Sequence, residues 1–224
     1  MTHLSFVLTA DGSKTLFNEK VGEHYHSRHG ALQESIHVFL KSGLLFYLDK
    51  NKANKASILE VGFGTGLNFL VTADYCTKND IPIHYTGIEA YPLDEKMITE
   101  TGYNDYVSPE VWESFLKNYP AALSKPVQIN PDRSLFIANS TLMNFRSEHL
   151  FDVVYFDAFA AIHQPEMWTI ESLSHLCNYL KPGGIFVTYA ITGELKRTMK
   201  SIGFSIEKAP GAPGKREMLR AVKS

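Results

Sequence analysis

The sequence predicts an α/β fold built on a mostly parallel sheet with helices on both faces. Three observations carry this expectation. From residue 57 onward, short apolar runs alternate with helical stretches. The first of these runs leads directly into a glycine cluster that opens a helix. Near the C-terminus, two further runs face each other across a Pro/Gly-rich turn, as an antiparallel pair would. Apolar strands alternating with helices are the pattern of strands buried on both faces.

The elements follow in order. Phe6-Val7-Leu8 and Thr15-Leu16-Phe17 flank Asp11-Gly12, a turn signal between two short strands. Ala31-Leu32, Ile36 and Phe39-Leu40 recur at helical spacing, with Gly43 expected to interrupt that helix. Residues 1–50 are thus expected to form an N-terminal extension packed on the core, and residues 51–224 the main domain. Ser57–Val61 reads as the first strand of the main sheet and Leu67–Val71 as the start of a helix. Ile83–Glu89 is the second strand, Trp112–Tyr119 a helix, Ser134–Ala138 the third strand and Phe151–Asp157 the fourth. Trp168–Leu180 reads as a helix ended by Pro182-Gly183-Gly184, followed by a fifth strand at Ile185–Tyr189. Leu195–Ile202 is a further helix, and Phe204–Glu207 with Glu217–Val222 form the antiparallel pair.

Composition excludes several classes. In 224 residues, hydrophobic residues make up 44% and charged residues 21%, so wholesale disorder is excluded. No apolar run is long enough to suggest a membrane span. The N-terminus has no basic segment followed by an apolar stretch, so no export signal is expected. Cys76 and Cys177 make neither a disulfide framework nor a CxxC pair, which fits a reducing, cytoplasmic setting. His24, His26 and His29 match no usual zinc spacing, and no metal is expected. The net charge of −2 conceals an asymmetry, because residues 191–224 carry eight Lys/Arg against three acids. A +5 tail segment on an acidic body points to a polyanionic partner, or else to a solvated charged surface.

The segment with most chemical content is Glu60-Val61-Gly62-Phe63-Gly64-Thr65-Gly66-Leu67-Asn68. The dinucleotide fingerprint spaces its third glycine differently, and the Gly-Lys-Ser/Thr of a Walker loop is absent. An acid at a strand tip followed by GxGxG resembles the nucleoside-binding loop of S-adenosylmethionine methyltransferases. Glu89 closes the next strand 23 residues after Gly66, where a carboxylate can accept hydrogen bonds from both ribose hydroxyls. Glu60 is a candidate neighbour of the methionine ammonium. Asn139 and Ser140, at the end of the third strand, are candidates for the adenine amino group, where many methyltransferases carry Asp. Asp157 ends the fourth strand, at the carboxyl edge where ligands of doubly wound sheets bind.

Three ordered motifs make the resemblance specific. They are residues 60–70, Asp157-Ala158-Phe159-Ala160 with Pro165-Glu166-Met167-Trp168, and Lys215-Arg216-Glu217-Met218-Leu219. Together they resemble the methyltransferase domain of the bacterial enzymes that finish 5-methylaminomethyl-2-thiouridine at the tRNA wobble position. Tyr25-His26-Ser27, Gly30-Ala31 and Glu34-Ser35 resemble the stand-alone branch of that family, without the flavin-dependent oxidase domain. This chain has Ala160-Ala161 where the family usually has Ala-Pro, and His163-Gln164 where it often has Lys-Asn.

The resemblance implies a Rossmann-like class I methyltransferase with a seven-stranded sheet and a C-terminal antiparallel hairpin. It implies S-adenosylmethionine, held by Glu60, Gly62, Phe63, Gly64, Gly66, Leu67, Asn68, Glu89, Asn139, Ser140 and Asp157. The expected reaction is methylation of an aminomethyl uridine that already carries a free primary amine. Only the neutral amine attacks, and its reference pKa is ~10.4. Asp157 is therefore expected to orient the amine and accept its proton, rather than act as a strong base. Phe159 and Trp168 are candidates to stack on the wobble base. Lys215 and Arg216 are candidates for anticodon-arm phosphates. A separate oxidase or the upstream wobble-modifying enzymes are possible partners. The alternatives are a small-molecule or protein methyltransferase, an aminopropyltransferase on the same scaffold, or a non-catalytic cofactor-binding module.

Overall fold

The computed structural model describes residues 3–224. Its strands are β1 (Leu4–Leu8), β2 (Lys14–Asn18), β3 (Glu23–His24), β4 (Ala56–Val61), β5 (Ile83–Glu89) and β6 (Val127–Asn130). They continue with β7 (Arg133–Asn139), β8 (Phe151–Phe156), β9 (Leu180–Thr188), β10 (Phe204–Pro210) and β11 (Glu217–Lys223). The main sheet has the order β10-β11-β9-β8-β4-β5-β7-β6, and β1-β2-β3 form a separate small sheet. Pairing is parallel from β9 through β8, β4 and β5 to β7, and antiparallel at both edges.

The main sheet therefore has eight strands where seven were expected. The additional one, β6, is a four-residue edge strand with a register shift between Gln128 and Asn130. Too short and irregular to show alternation, it left no sequence signal.

Alternate side chains of the central strands supply two cores. Ile58, Val153, Tyr155, Ile185 and Val187 join the cluster under the helices Leu67–Lys78 and Pro109–Ala122. Leu59, Val61, Val154, Phe156 and Phe186 face the helices Ile170–Cys177 and Gly193–Ser201 through Leu173, Leu176, Leu195 and Met199. This is the two-faced burial that the continuous apolar runs imply.

The N-terminal residues share the first core, through Leu16, Ala31, Val38, Phe39 and Leu44. Residues 31–51 form one continuous helix whose middle, Ser35–Leu45, is π-helical. Gly43 does not interrupt it. A Cβ there would lie 2.8 Å from the Tyr155 ring and 3.0 Å from Val187. That glycine serves close helix–sheet approach, a requirement invisible in local propensity.

Two other expected boundaries move. Residues 165–168 form a separate 3₁₀ turn before the helix Ile170–Cys177, which ends short of Leu180. Pro182-Gly183-Gly184 lies inside β9, where the β8–β9 register shifts between Phe151 and Val153. Both cysteines are buried, and burial raises both thiols to about 12, so they act as small core hydrophobes. Among the described residues, no helix is long and apolar enough to cross a membrane.

Candidate active site

The chain leaves β4 for β5 and β7 on one side, then returns to place β8 on the other side of β4. The carboxyl ends of β4 and β8 thus flank the point where strand order reverses, where a crevice opens in such sheets. The glycine loop and Asp157 sit on these two ends. The Asp157 N–H donates to the Val61 carbonyl at 2.9 Å. Gly62 has φ +83°, and a Cβ there would stand 2.4 Å from the Asp157 carbonyl oxygen. Only glycine permits both that backbone turn and that approach. The N–H groups of Gly62 and Phe63 both donate to the Ile88 carbonyl, at 3.0 and 3.2 Å, tying the loop to β5.

Glu89 stands at the tip of β5. Its Oε2 accepts the Gly64 N–H and its Oε1 accepts the Tyr91 N–H, each at 2.9 Å. Burial raises its pKa against these bonds to the backbone. Each oxygen keeps a second lone pair, so the carboxylate can still accept hydroxyl donors. Asn139 pairs with Glu89 across the β5–β7 register, and the Ser140 N–H donates to the Glu89 carbonyl at 3.1 Å. Glu89, Asn139 and Ser140 therefore share one rim of the crevice.

Glu60 is fully buried. Its Oε1 accepts from Asn68 Nδ2 at 2.8 Å and its Oε2 from the Tyr85 hydroxyl at 2.9 Å. The same Asn68 nitrogen donates to Asp157 Oδ2 at 2.8 Å. One amide thus bridges two carboxylates from neighbouring strands, and its own oxygen is buried without a partner. Burial pushes the Glu60 carboxyl well above the usual range, and the nearby Asp157 and Glu89 charges add to this. Burial, followed by the Glu34 carboxylate, does the same to Asp157, against the Asn68 hydrogen bond and Lys215. Glu60 reaches the crevice through Asn68 rather than directly, which modifies its expected place beside an ammonium.

Phe63 and Leu67 lie in the loop and at the helix start, as expected from the sequence. Both side chains are buried in the first core, so only their backbone can meet a ligand. A Cβ at Gly87 would lie 2.5 Å from Phe63, which shows how closely that ring underpins the loop.

The segment after Asp157 forms one wall of a cavity of about 200 Å3. Phe159 meets Tyr25 edge-on at 5.3 Å, and Tyr25 in turn lies over Gly64, 3.1 Å from where its Cβ would be. Tyr189, Glu34 and Lys215 close the other side. The Tyr189 hydroxyl donates to the Ala158 carbonyl at 2.9 Å, and the Ala160 N–H donates to Glu23 at 2.9 Å. Trp168 is anchored rather than presented. Its indole N–H donates to the Phe159 carbonyl at 2.8 Å, and its ring stands edge-on to Phe156 at 4.9 Å. It holds the Phe159 loop, whereas Phe159 itself lines the cavity.

Lys215 and Arg216 diverge. Arg216 is exposed. Lys215 turns inward, with Nζ 3.1 Å from Glu34 Oε2 and 3.8 Å from the centre of the Tyr189 ring. Sequence reasoning gave Glu23 no role, and Glu34 and Tyr25 entered only through resemblance. The available signal for Glu34 was an acid on the same helix face as Ala31 and Val38. His26 is buried beside Thr15, at 3.1 Å. Burial lowers its pKa to about 4, so it is a neutral structural residue. Among the described residues, no group of three His, Cys, Asp or Glu could hold a metal ion.

The residues present suit S-adenosylmethionine. The glycine loop puts no side chain at Gly62, Gly64 or Gly66 beside the strand ends, Glu89 can still accept a donor, and the orphaned Asn68 oxygen accepts a donor such as an ammonium. Comparisons with known proteins agree. The family described as S-adenosyl-L-methionine-dependent methyltransferase matches residues 107–224. The tRNA 5-methylaminomethyl-2-thiouridine biosynthesis bifunctional protein MnmC of Leptospira borgpetersenii is 30% identical over 214 residues, covering 92% of this chain and 33% of that protein. Its Leptospira interrogans counterpart is 31% identical over 228 residues, covering 95% and 34%. The chain thus spans about one third of the length of these curated relatives. The crystal structure of MNMC2 from Aquifex aeolicus superposes with a TM-score of 0.78 at 24% identity, over 97% of this chain and 70% of that one. With the family match covering more than half of its length, the chain belongs to the S-adenosyl-L-methionine-dependent methyltransferases.

Proposed function

We propose that this protein methylates the primary amine of 5-aminomethyluridine, with or without 2-thiolation, at the wobble position of tRNA. The carrying observation is the cavity beside Asp157, whose walls carry the aromatic rings of Tyr25, Phe159 and Tyr189 and the acids Glu23 and Glu34 beside the cations Arg28 and Lys215. Such a lining suits an unpaired base bearing a cationic alkylamine. The curated relatives, whose name refers to that nucleoside, support the same reading.

When bound, S-adenosylmethionine would supply an electrophilic methyl group, with S-adenosylhomocysteine as the leaving group as the amine nitrogen forms the new N–C bond. The protein's task is placement. The glycine loop, Glu89, Asn139 and Ser140 hold the nucleoside end. Asn68, backed by Glu60, fixes the Asp157 carboxylate. Asp157 accepts the amine N–H, aims the lone pair and receives the proton released after transfer, passing it to water. Phe159, held by Trp168, provides the stacking face. Arg216, exposed on the turn between β10 and β11, contacts backbone phosphate, and other enzymes of wobble modification supply the free amine. Glu23, Tyr25 and Glu34 of the N-terminal extension complete the acceptor-side wall with Phe159, Tyr189 and Lys215, and residues 51–224 supply the cofactor-binding part. This assignment places the enzyme in the cytoplasm, where tRNA is modified.

The test is nucleoside mass spectrometry on tRNA carrying 5-aminomethyluridine, incubated with purified protein and S-adenosylmethionine. The expected product is the monomethylated nucleoside, lost in Asp157→Ala. Methylation of a small amine or a protein with no change in tRNA would reject the proposal.

A further inference from the structure

Lys215 is an unusual neighbour for this cavity. The cavity is assigned an amine substrate, yet its wall carries the cations Arg28 and Lys215 beside the acids Glu23 and Glu34. Glu34 is 4% exposed and has both oxygens engaged, Oε1 by the Ser27 N–H at 2.9 Å and Oε2 by Lys215 at 3.1 Å. The Lys215 side chain is one-third exposed and lies against the Tyr189 face. Both partners line the same cavity as Ala158 and Phe159, the residues that follow Asp157. Glu34 stands on the N-terminal helix, and Lys215 on the β10–β11 turn, 181 positions away.

We propose that Lys215 is a positioning residue for methyl transfer: its ammonium, clamped between Glu34 and Tyr189, offsets the acids around Asp157 so that this carboxylate can hold the acceptor amine. The inference rests on the assignment of Asp157 to the amine. The titratable and charged groups around Asp157 and its cavity are Glu34 from the N-terminal helix, Glu23, His24, His26 and Arg28 from β3 and the segment after it, Asn68 and Glu60 from the glycine-loop side, Tyr85 and Tyr189 from β5 and the end of β9, and Lys215. Of the two cations, Arg28 and Lys215, Lys215 is the one paired with Glu34. Without it, Glu34 would be a buried, unpaired anion beside a second carboxylate, and two such charges disfavour each other. Asp157 would then hold its proton and could neither accept the amine N–H nor take up the proton released when the N–C bond forms. The ammonium also acts on the substrate, because a like charge nearby favours the neutral, attacking form of the amine.

The direction of the pH effect follows. Transfer needs ionised Asp157, so kcat falls as pH drops through its pKa. Removing Lys215 raises that pKa and moves the acid limb to higher pH. The experiment measures kcat against pH with saturating aminomethyl-uridine tRNA for wild type, Lys215→Met, Lys215→Arg and the double variant Lys215→Met/Glu34→Gln. Calorimetric affinity for S-adenosylhomocysteine and far-UV circular dichroism are measured on each.

Lys215→Met is expected to shift the acid limb upward by about one unit, in the range typical of a lost opposite charge nearby. Lys215→Arg should restore the wild-type limb, and the added Glu34→Gln should move it back down. S-adenosylhomocysteine affinity should stay within about twofold. A Lys215→Met enzyme that is folded, binds S-adenosylhomocysteine and keeps the wild-type limb would overturn the proposal. So would a loss of activity that neither Arg nor the Glu34→Gln change repairs. Failure of the Asp157 assignment reads differently: Asp157→Asn would then leave transfer intact in the wild-type background.

Discussion

The Glu23 carboxylate accepts the Ala160 N–H at 2.9 Å, so a two-residue strand 137 positions upstream fixes the loop that follows Asp157. On the proposed function, the N-terminal segment thus helps to build the acceptor side of the crevice, whereas the nucleoside side would lie at the ends of β4, β5 and β7.

Glu23→Ala should separate these halves. Losing one charge-assisted hydrogen bond is worth roughly 1.5–3 kcal/mol when buried and less at a half-exposed site. The expected outcome is kcat/KM for tRNA lowered on the order of tenfold, with S-adenosylmethionine affinity unchanged by calorimetry. Equal losses in both would show that Glu23 supports the whole crevice.

Glu89→Ala should do the opposite. It removes the acceptor assigned to ribose hydroxyls and frees the Gly64 and Tyr91 N–H groups. Cofactor affinity should fall by roughly 10–100-fold, corresponding to ~1.5–3 kcal/mol. At saturating cofactor, kcat should be nearly preserved. An unchanged dissociation constant would remove Glu89 from the ribose site.

Two buried groups make stability depend on pH in opposite senses. His26 has a folded pKa lowered by burial from 6.5 to about 4. Its contribution is present above pH 6.5 and lost as pH falls toward 4, on the order of 3 kcal/mol in all. Glu60 has a folded pKa raised by burial, so its contribution is present below about 4.5 and lost as pH rises through the raised value. His26→Gln should flatten the acid side of a plot of melting temperature against pH. Glu60→Gln should raise the melting temperature near pH 8 while weakening cofactor binding, a trade of function for stability. A Glu60→Gln protein that melts lower at pH 8 would show that its hydrogen bonds outweigh the cost of burying its charge.

Arg216→Ala should flatten the log–log salt dependence of tRNA binding by roughly 0.7–0.9, as for one lost phosphate contact. Lys215→Met should leave that slope alone, because its ammonium is engaged inside the cavity. Equal changes in both slopes would mean that Lys215 leaves Glu34 to meet RNA.

These divergent roles for adjacent residues show where the sequence was readable. Strands β4, β7 and β8 were legible from short apolar runs, β5 from alternating buried and polar residues, and the glycine loop because its spacing is constrained by backbone geometry. Glu89 and Asp157 followed, since a strand tip places its last residue without further information. The side-chain directions of Lys215 and Arg216 were not legible. They depend on Glu34, far away in sequence, and a basic pair on a turn looks the same whether one member is buried or neither is. Gly43 was misread for a related reason, because its neighbours Tyr155 and Val187 belong to other strands. Trp168 kept its motif position but not its expected exposure, since the Phe159 carbonyl captures its indole N–H.

The ion pair between Glu34 and Lys215 is joined by a second tie between the same two regions, in which His37 Nε2 donates to the Pro210 carbonyl at 2.7 Å. Contacts of such sequence separation are slow to form, because a long loop must close before they repay its entropy. The cavity wall held by these two ties is therefore complete only once the N-terminal and C-terminal regions of the chain have met.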